Sequence, residues 1–292
     1  MVPMTASVFL AGPASWNTIV VLDRLPEPVP HMQFAEGSWE TVGGTSAGKA
    51  LTLTALGRST LLHALSASDE PGMKIRDALA LAGVDVLWGE SAVTERHLNL
   101  MTRAGARISL YLSSPEATEG QDDAALIAAM TRADALVLDL APEPLRLLPH
   151  AQATGRPIWV DVHDYDGTAD FHRPFLDAAD AVFCNADRLP DPVDFLHSRI
   201  ASGTALAVCT LGADGAVAVD SDHVEHRVAA VPVEVVDTNG AGDAFFAGVL
   251  DARLTGADLD TALRAGARAA SSVLGTRHLH PVLDPVLDPA AG

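Results

Sequence analysis

Cysteine is scarce in this chain: two residues among 292, Cys184 and Cys209, each set inside an apolar run. One pair cannot build a disulfide framework, so a small cross-linked scaffold is excluded and both thiols are expected in the core. Basic residues are scarce too. Only 19 lysines and arginines stand against 38 acidic residues, a net charge of -19. Such a chain repels nucleic-acid backbones and anionic lipid, which argues against DNA, RNA or a membrane surface as partner. No apolar run has the length of a membrane span, and the N-terminal MVPMTASVFLAG lacks a basic start followed by a long apolar stretch. A cytoplasmic location is the expectation. An anionic ligand would have to be held locally, by backbone N–H groups, a metal ion or a few arginines.

What is present is ordinary globular material, with 48% hydrophobic and 20% charged residues. The length admits one large α/β unit or two smaller ones. Short apolar runs recur at residues 7–11, 84–88, 135–140, 158–162, 181–184, 205–211 and 231–236. Between several of them lie stretches with helical apolar spacing, at 122–132, 174–179 and 243–254. Apolar strands alternating with helices predict a mostly parallel sheet covered on both faces, whose ligands gather at the carboxyl ends of the strands. Two segments, 17–40 and 97–113, alternate with period two and predict a small β lid with one wet face. The C-terminal PVLDPVLDPAAG is too short for a repeat architecture and is expected to be a loosely held tail.

The strongest local signal is VPVEVVDTNGAGDAFFAGVL at 231–250, which reads as a strand, a tight turn and a helix beginning near Asp243. The first N–H groups of a helix lack intrahelical partners and carry the positive end of its dipole. Gly240, Ala241 and Gly242 are therefore candidates for an oxyanion or phosphate site, with small residues letting the ligand approach the backbone. Asp243, beside that site, is placed to take a proton from an attacking hydroxyl. The same residues also suit a purely structural first-turn acid and a glycine-permitted turn.

The segment DTNGAGDAF resembles the second signature of the ribokinase/PfkB carbohydrate kinases, D-T-x-G-A-G-D-x-F, at every fixed position. Three further blocks resemble the family in the family's order. Gly12 with Asn17, and Gly43-Gly44 followed by Ala50 and Leu56-Gly57, resemble its sugar-binding half. The stretch Asn185-Ala186-Asp187-Arg188 stands at its N-x-x-E, and Thr210-Leu211-Gly212-Ala213-Asp214-Gly215 resembles its T-L-G-x-x-G nucleotide turn. The resemblance implies a three-layer α/β/α ribokinase-like fold, a single kinase domain over 1–292 with lid segments at about 14–40 and 96–113. It implies an ATP-dependent transfer to a hydroxymethyl group of a sugar, sugar acid or nucleoside, with Asp243 as base and Gly240, Ala241 and Gly242 as anion hole. Asn17, Gly43, Gly44, Gly48, Lys49 and Asp243 would then face the substrate. Asn185, Thr210, Gly212, Gly215, Asn239, Gly240 and Gly242 would face the nucleotide. The metal would be Mg²⁺, held mostly by phosphates and water, with Asn185 and Asp187 nearby; some relatives also bind a monovalent cation such as K⁺ near 237–239. Relatives often pair their lids in a homodimer, which is the expectation here.

The stretch GGTSAGKA at 43–50 also matches most of the P-loop pattern, but Ala50 stands where a Ser or Thr hydroxyl would meet Mg²⁺, and no buried strand precedes it. Lys49 is left as a substrate contact or, more simply, a solvated surface lysine. Around His163, a calcium-loop reading fails because Val162 and Arg173 occupy ligand positions. Asp161, in DVHDY, reads first as part of a strand-end polar loop and second as a neighbour of the cleft.

Three departures from the family fall on positions that carry function. Asn17 replaces a usual Asp, Gly48 a usual Asn and Arg188 the Glu of N-x-x-E. The first two predict a roomier, less acidic pocket that prefers a larger sugar, a sugar acid or a nucleoside to ribose. The second reading of the chain is a catalytically weak ligand-binding protein, a sensor or scaffold on the same fold.

Overall fold

The structure, a computed structural model, describes residues 7–103, 105–118 and 123–288. Its main sheet is built from β1 (Ser7–Ala11), β4 (Ser59–Ser66), β5 (Val86–Glu90), β8 (Ala135–Leu138), β9 (Ile158–Asp161), β10 (Ala181–Asn185), β11 (Leu206–Thr210), β12 (Ala216–Asp220) and β13 (Glu225–Val228). The strand order is β13-β12-β11-β10-β9-β8-β1-β4-β5. All pairings from β11 to β5 are parallel, and the β12–β13 hairpin adds an antiparallel edge.

Strand alternation divides the core. Val8 and Leu10 of β1 face one layer and Phe9 and Ala11 the other. The first layer contains α1 (Thr45–Ala55), α2 (Glu70–Leu81), α7 (Ala241–Leu254) and α8 (Leu259–Val273); the second contains α3 (Ala124–Arg132), α4 (Pro142–Ala153), α5 (Arg173–Ala178) and α6 (Pro192–Ala201). The apolar runs are continuous because both faces of each strand are covered. Side-chain caps fix several helix starts: Asp69 accepts from Gly72 N, Asp191 from Asp194 N and Asp258 from Thr261 N.

A second sheet, in the order β3-β2-β6-β7, is made from two excursions of the chain: β2 (Ser15–Leu22) with β3 (Gly37–Gly43), and β6 (Arg96–Thr102) with β7 (Arg107–Ser113). The first excursion leaves at the end of β1 and the second after β5, so this lid lies beside the carboxyl ends of the main strands. Among the described residues no helix is long and apolar enough to cross a membrane. Both cysteines are buried and free.

Two expectations need correction. Residues 231–236 form no strand; they run as an extended, exposed segment lining the cleft described below. Pro232 has no N–H to donate to a ladder, and β13 already occupies the sheet edge. The C-terminal segment is not loose as far as residue 288. A 3-10 turn, Pro281–Leu283, buries Leu283 completely, and α9 (Asp284–Leu287) follows. Asp284 accepts from Thr276 Oγ1, and Asp288 from Arg277 and His278. The last four residues of the tail, and Asp122 at the predicted start of α3, lie outside the described residues.

Candidate active site

Between the lid and the carboxyl ends of the main strands lies a cleft of about 990 Å³, at the upper end of the range of ligand sites, about 300–1,000 Å³. The position follows from the topology of a parallel sheet. The inward row of the lid supplies Asn17, Thr41, His97, Asn99, Arg107, Ser109 and Tyr111. Register places Asn17 opposite both His97 and Thr41, and His97 opposite Tyr111. Main-layer lining comes from Asn185 at the end of β10, Thr210 at the end of β11, and the turn before α7.

Asp243 is at the floor of the cleft in the first turn of α7, and its chemistry is set by a neighbour behind it. Lys49 is fully buried, with Nζ 2.7 Å from Asp243 Oδ1, 2.9 Å from Asp139 Oδ1 and 3.4 Å from Asp161 Oδ2. Ser46 Oγ donates to Asp139 Oδ2 at 2.5 Å, and His163 Nδ1 lies 3.4 Å from Asp161 Oδ2. Three carboxylates thus surround one ammonium. Burial opposes the charge of Lys49, but Asp139, Asp243 and Asp161 together hold it protonated far above the usual lysine range. Burial pushes Asp243 up to about 6, against the pull of Lys49 and His163 and with the push of Asp139. Asp161 is shifted down: burial resists ionisation, but His163 and Lys49 outweigh it. The result is a carboxylate of unusual proton affinity for an aspartate, in the lining of the cleft.

Gly48 explains how Lys49 and Asp243 come together. Within α1, a Cβ on residue 48 would lie 2.9 Å from Asp243 Oδ2 and 3.0 Å from Asp243 Cβ. The absence of a side chain lets α1 approach Asp243.

The turn before Asp243 is built from small residues that line the cleft. Gly240 caps α7 with φ 78°, a left-handed conformation that glycine adopts freely, and Gly240, Ala241 and Gly242 line the cleft. A Cβ on Gly242 would meet nothing within 4 Å, so the approach to its backbone is open. Asn239 N donates to Asp237 Oδ1 at 2.8 Å, and Arg107 of the lid donates to Asn239 Oδ1 at 2.7 Å. A lid cation therefore touches the turn that precedes α7.

The structure brings Asn17, Gly43, Gly44, Asn185, Asp187, Thr210, Gly212, Gly215, Asn239, Gly240, Ala241, Gly242 and Asp243 to one cleft. It leaves Gly48 and Lys49 outside the lining. Lys49 is neither a solvated surface residue nor on the cleft wall, because three buried aspartates draw its ammonium inward. Asp161, read first as loop, belongs to this charge cluster. Arg188 turns to solvent, 3.6 Å from Asp166. Asn185 and Asp187 remain together at the cleft, Asn185 Oδ1 accepting from Asp187 N at 3.1 Å. Among the described residues no group of three or more His, Cys, Asp or Glu side chains is arranged to hold a metal ion. The residues present suit a cation carried by a polyphosphate and touched by few protein groups.

Three side chains of the lid went unread in the sequence. Glu95, His97 and Asn99 are buried at the cleft, and Asn99 Oδ1 has no hydrogen-bond partner. His97 and Asn99 occupy the buried phase of an alternating strand, where a polar residue signals a ligand partner.

A family model described as pfkB family carbohydrate kinase matches residues 20–282, and the chain belongs to that family. It is 35% identical over 274 residues to an acarbose 7(IV)-phosphotransferase of Actinoplanes sp., covering 90% of each chain. It is 27% identical over 281 residues to a nucleoside kinase of Methanothermobacter thermautotrophicus, covering 90% of this chain and 87% of the relative. The solved structure of the microbiome-derived acarbose kinase Mak1 matches with a TM-score of 0.81 at 31% identity, covering 97% of this chain and 99% of that chain. The Arabidopsis thaliana ribokinase complexed with ribose and ATP matches the fold, with a TM-score of 0.77 at 20% identity and 94% of each chain covered. The protein is thus a carbohydrate or nucleoside kinase with the ribokinase-like fold.

Proposed function

We propose that the protein transfers a phosphoryl group from ATP to a hydroxymethyl group of a saccharide, with Asp243 as general base and the Gly240-Ala241-Gly242 turn as anion hole. The observation that carries this reading is the placement of Asp243: buried against Lys49, exposed to the cleft, and one residue beyond an open glycine turn at a helix N-terminus. The acceptor hydroxyl gives its proton to Asp243 Oδ as its oxygen bonds to the γ-phosphorus of ATP and the bond from that phosphorus to the bridging oxygen breaks, with ADP as the leaving group; Asp243 later releases the proton to solvent. The first amides of α7 and the Arg107 guanidinium face the charge that develops on the transferring group. Asn17, His97, Asn99 and Glu95 hold the acceptor's hydroxyls. Mg²⁺, when bound with the nucleotide, neutralises polyphosphate charge, and Asn185 and Asp187 would orient its waters. A monovalent cation beside 237–239 would add to that field.

A saccharide is favoured over a nucleoside because the higher of the two curated identities is to an acarbose phosphotransferase. The name of that relative counts a ring IV, so a multi-ring acceptor fits a cleft of this size. The test is ATP consumption by the purified protein with Mg²⁺ across pentoses, hexoses, sugar acids, oligosaccharides and nucleosides. Turnover greatest with a saccharide is expected. Binding of sugars without ATP consumption would favour instead a weakly catalytic sensor on the same fold.

A further inference from the structure

A smaller cavity of about 210 Å³ lies beside the cleft. The two cavities are neighbours, with Pro13, Glu95, Tyr111 and Leu140 lining both. Nothing in the phosphoryl-transfer chemistry uses this side pocket.

Its surface has a definite chemical character. Flat apolar groups form the walls: the rings of Phe171 and Tyr111, 44% and 68% exposed, and the prolines at 115, 142 and 144. Large apolar side chains exposed in a concavity mark a ligand site rather than a solvated surface. The pocket's polar groups are Glu95 and Glu143 together with His63 and Ser114. Glu143, buried in the first turn of α4, accepts from His63 Nε2 at 3.0 Å and from Arg146 at 2.7 and 2.9 Å. A carboxylate has about four acceptor positions, so Glu143 can still accept from a ligand hydroxyl. Glu95 stands at the junction of the two cavities.

Flat apolar faces beside carboxylate acceptors suit one class of ligand: a sugar ring, which presents a C–H face and a rim of hydroxyl donors. An anion is disfavoured, because Glu95 and Glu143 line the pocket and Arg146 is occupied by Glu143 and Asp123. A purely apolar ligand would leave Glu143 facing hydrocarbon.

We propose that this pocket is a subsite for a second sugar ring, joined to the ring that is phosphorylated, and that the preferred acceptor is therefore an oligosaccharide. The proposal rests on the saccharide-kinase reading of the main cleft. Phe171 belongs to the side pocket alone, and Ala141, on its wall, is where a larger side chain would fill it.

The test compares kcat/KM of the full chain with ATP and Mg²⁺ on glucose, maltose, maltotriose and acarbose, with adenosine as a separate arm, for the wild type, Phe171→Ala and Ala141→Phe. The wild type should prefer multi-ring acceptors over glucose by about tenfold or more. Loss of one aromatic stacking partner should cut that preference about three- to tenfold in Phe171→Ala, and Ala141→Phe should abolish it. Circular dichroism checks that both variants fold. A wild-type rate independent of ring number, or a preference that survives in both variants, overturns the subsite while leaving the saccharide kinase intact. Turnover of adenosine with none of any saccharide overturns the saccharide reading itself, and the subsite with it.

Discussion

The ammonium of Lys49 lies 2.7 Å from Oδ1 of Asp243, and no bulk water reaches the lysine. A cation with no exposed surface is stable only because Asp139, Asp161 and Asp243 surround it. Removing it leaves three carboxylates crowded without a counter-charge. Lys49→Met should therefore destabilise the fold by about 3–5 kcal/mol, the range for breaking a buried pair from one side. Denaturant unfolding measures this; a loss below about 1 kcal/mol would place the lysine in a solvated setting, as an exposed pair would behave.

The same cluster fixes a pH dependence. Burial holds Asp243 at about 6, above the 3.8 of a free aspartate. Between those values the folded chain keeps a proton that the unfolded chain has lost, so this group's contribution to stability declines as pH rises from about 4 to 6. Catalysis runs the opposite way, since a base must be ionised: kcat/KM should climb with pH through about 6 and then level. Asp139, Asp161, His163 and Lys49 all face this titration, and a Lys49→Gln protein should shift the acid limb to higher pH. Asp243→Asn should lower the rate about 10²–10⁴-fold with the fold intact. Unchanged turnover in that variant would remove the role assigned to Asp243.

Gly48 gives a sharper geometric test. A methyl at this position would press on both Oδ2 and Cβ of Asp243, and the carboxylate must move for it to fit. Gly48→Ala improves helix propensity, so the expected damage is to kcat. Displacing a catalytic group by about 1 Å costs up to about 10²-fold. A variant with wild-type kcat would show that the base tolerates the shift.

These relationships explain why the site was only partly legible from the chain's local patterns. The parallel sheet was legible because strands covered on both faces are apolar throughout, and the Gly240 turn because its local pattern is rigid and continuous. Lys49 was not: a lysine after a glycine in a helix carries no mark of burial, and its three partners lie just after β8, at the end of β9 and at the start of α7, each far along the chain. Valines at 231–236 misled for the converse reason, since alternating apolar residues can line a cleft as well as a sheet. The lid acceptors His97 and Asn99 were visible in principle, as polar residues in an alternation whose phase only the partner strands reveal.

That phase bears on assembly. Along β7, Arg107, Ser109 and Tyr111 face the cleft, while Ile108, Leu110 and Leu112 face outward and are 38%, 43% and 51% exposed. Leu98 and Leu100 of β6 continue the outward row, registered against Leu110 and Ile108. The lid thus shows a polar face to the substrate and an apolar face away from it, and β7 ends the sheet as an unpaired edge. A contiguous apolar face beside an open edge favours a partner, and a second lid offers the matching surface by two-fold symmetry. We expect a homodimer in solution. Light scattering at micromolar concentration should give twice the chain mass, and Leu110→Glu should shift the population toward monomer, since a charge there would be buried without a counter-ion. A wild-type monomer at that concentration would leave the outer face of the lid solvated and the kinase site untouched.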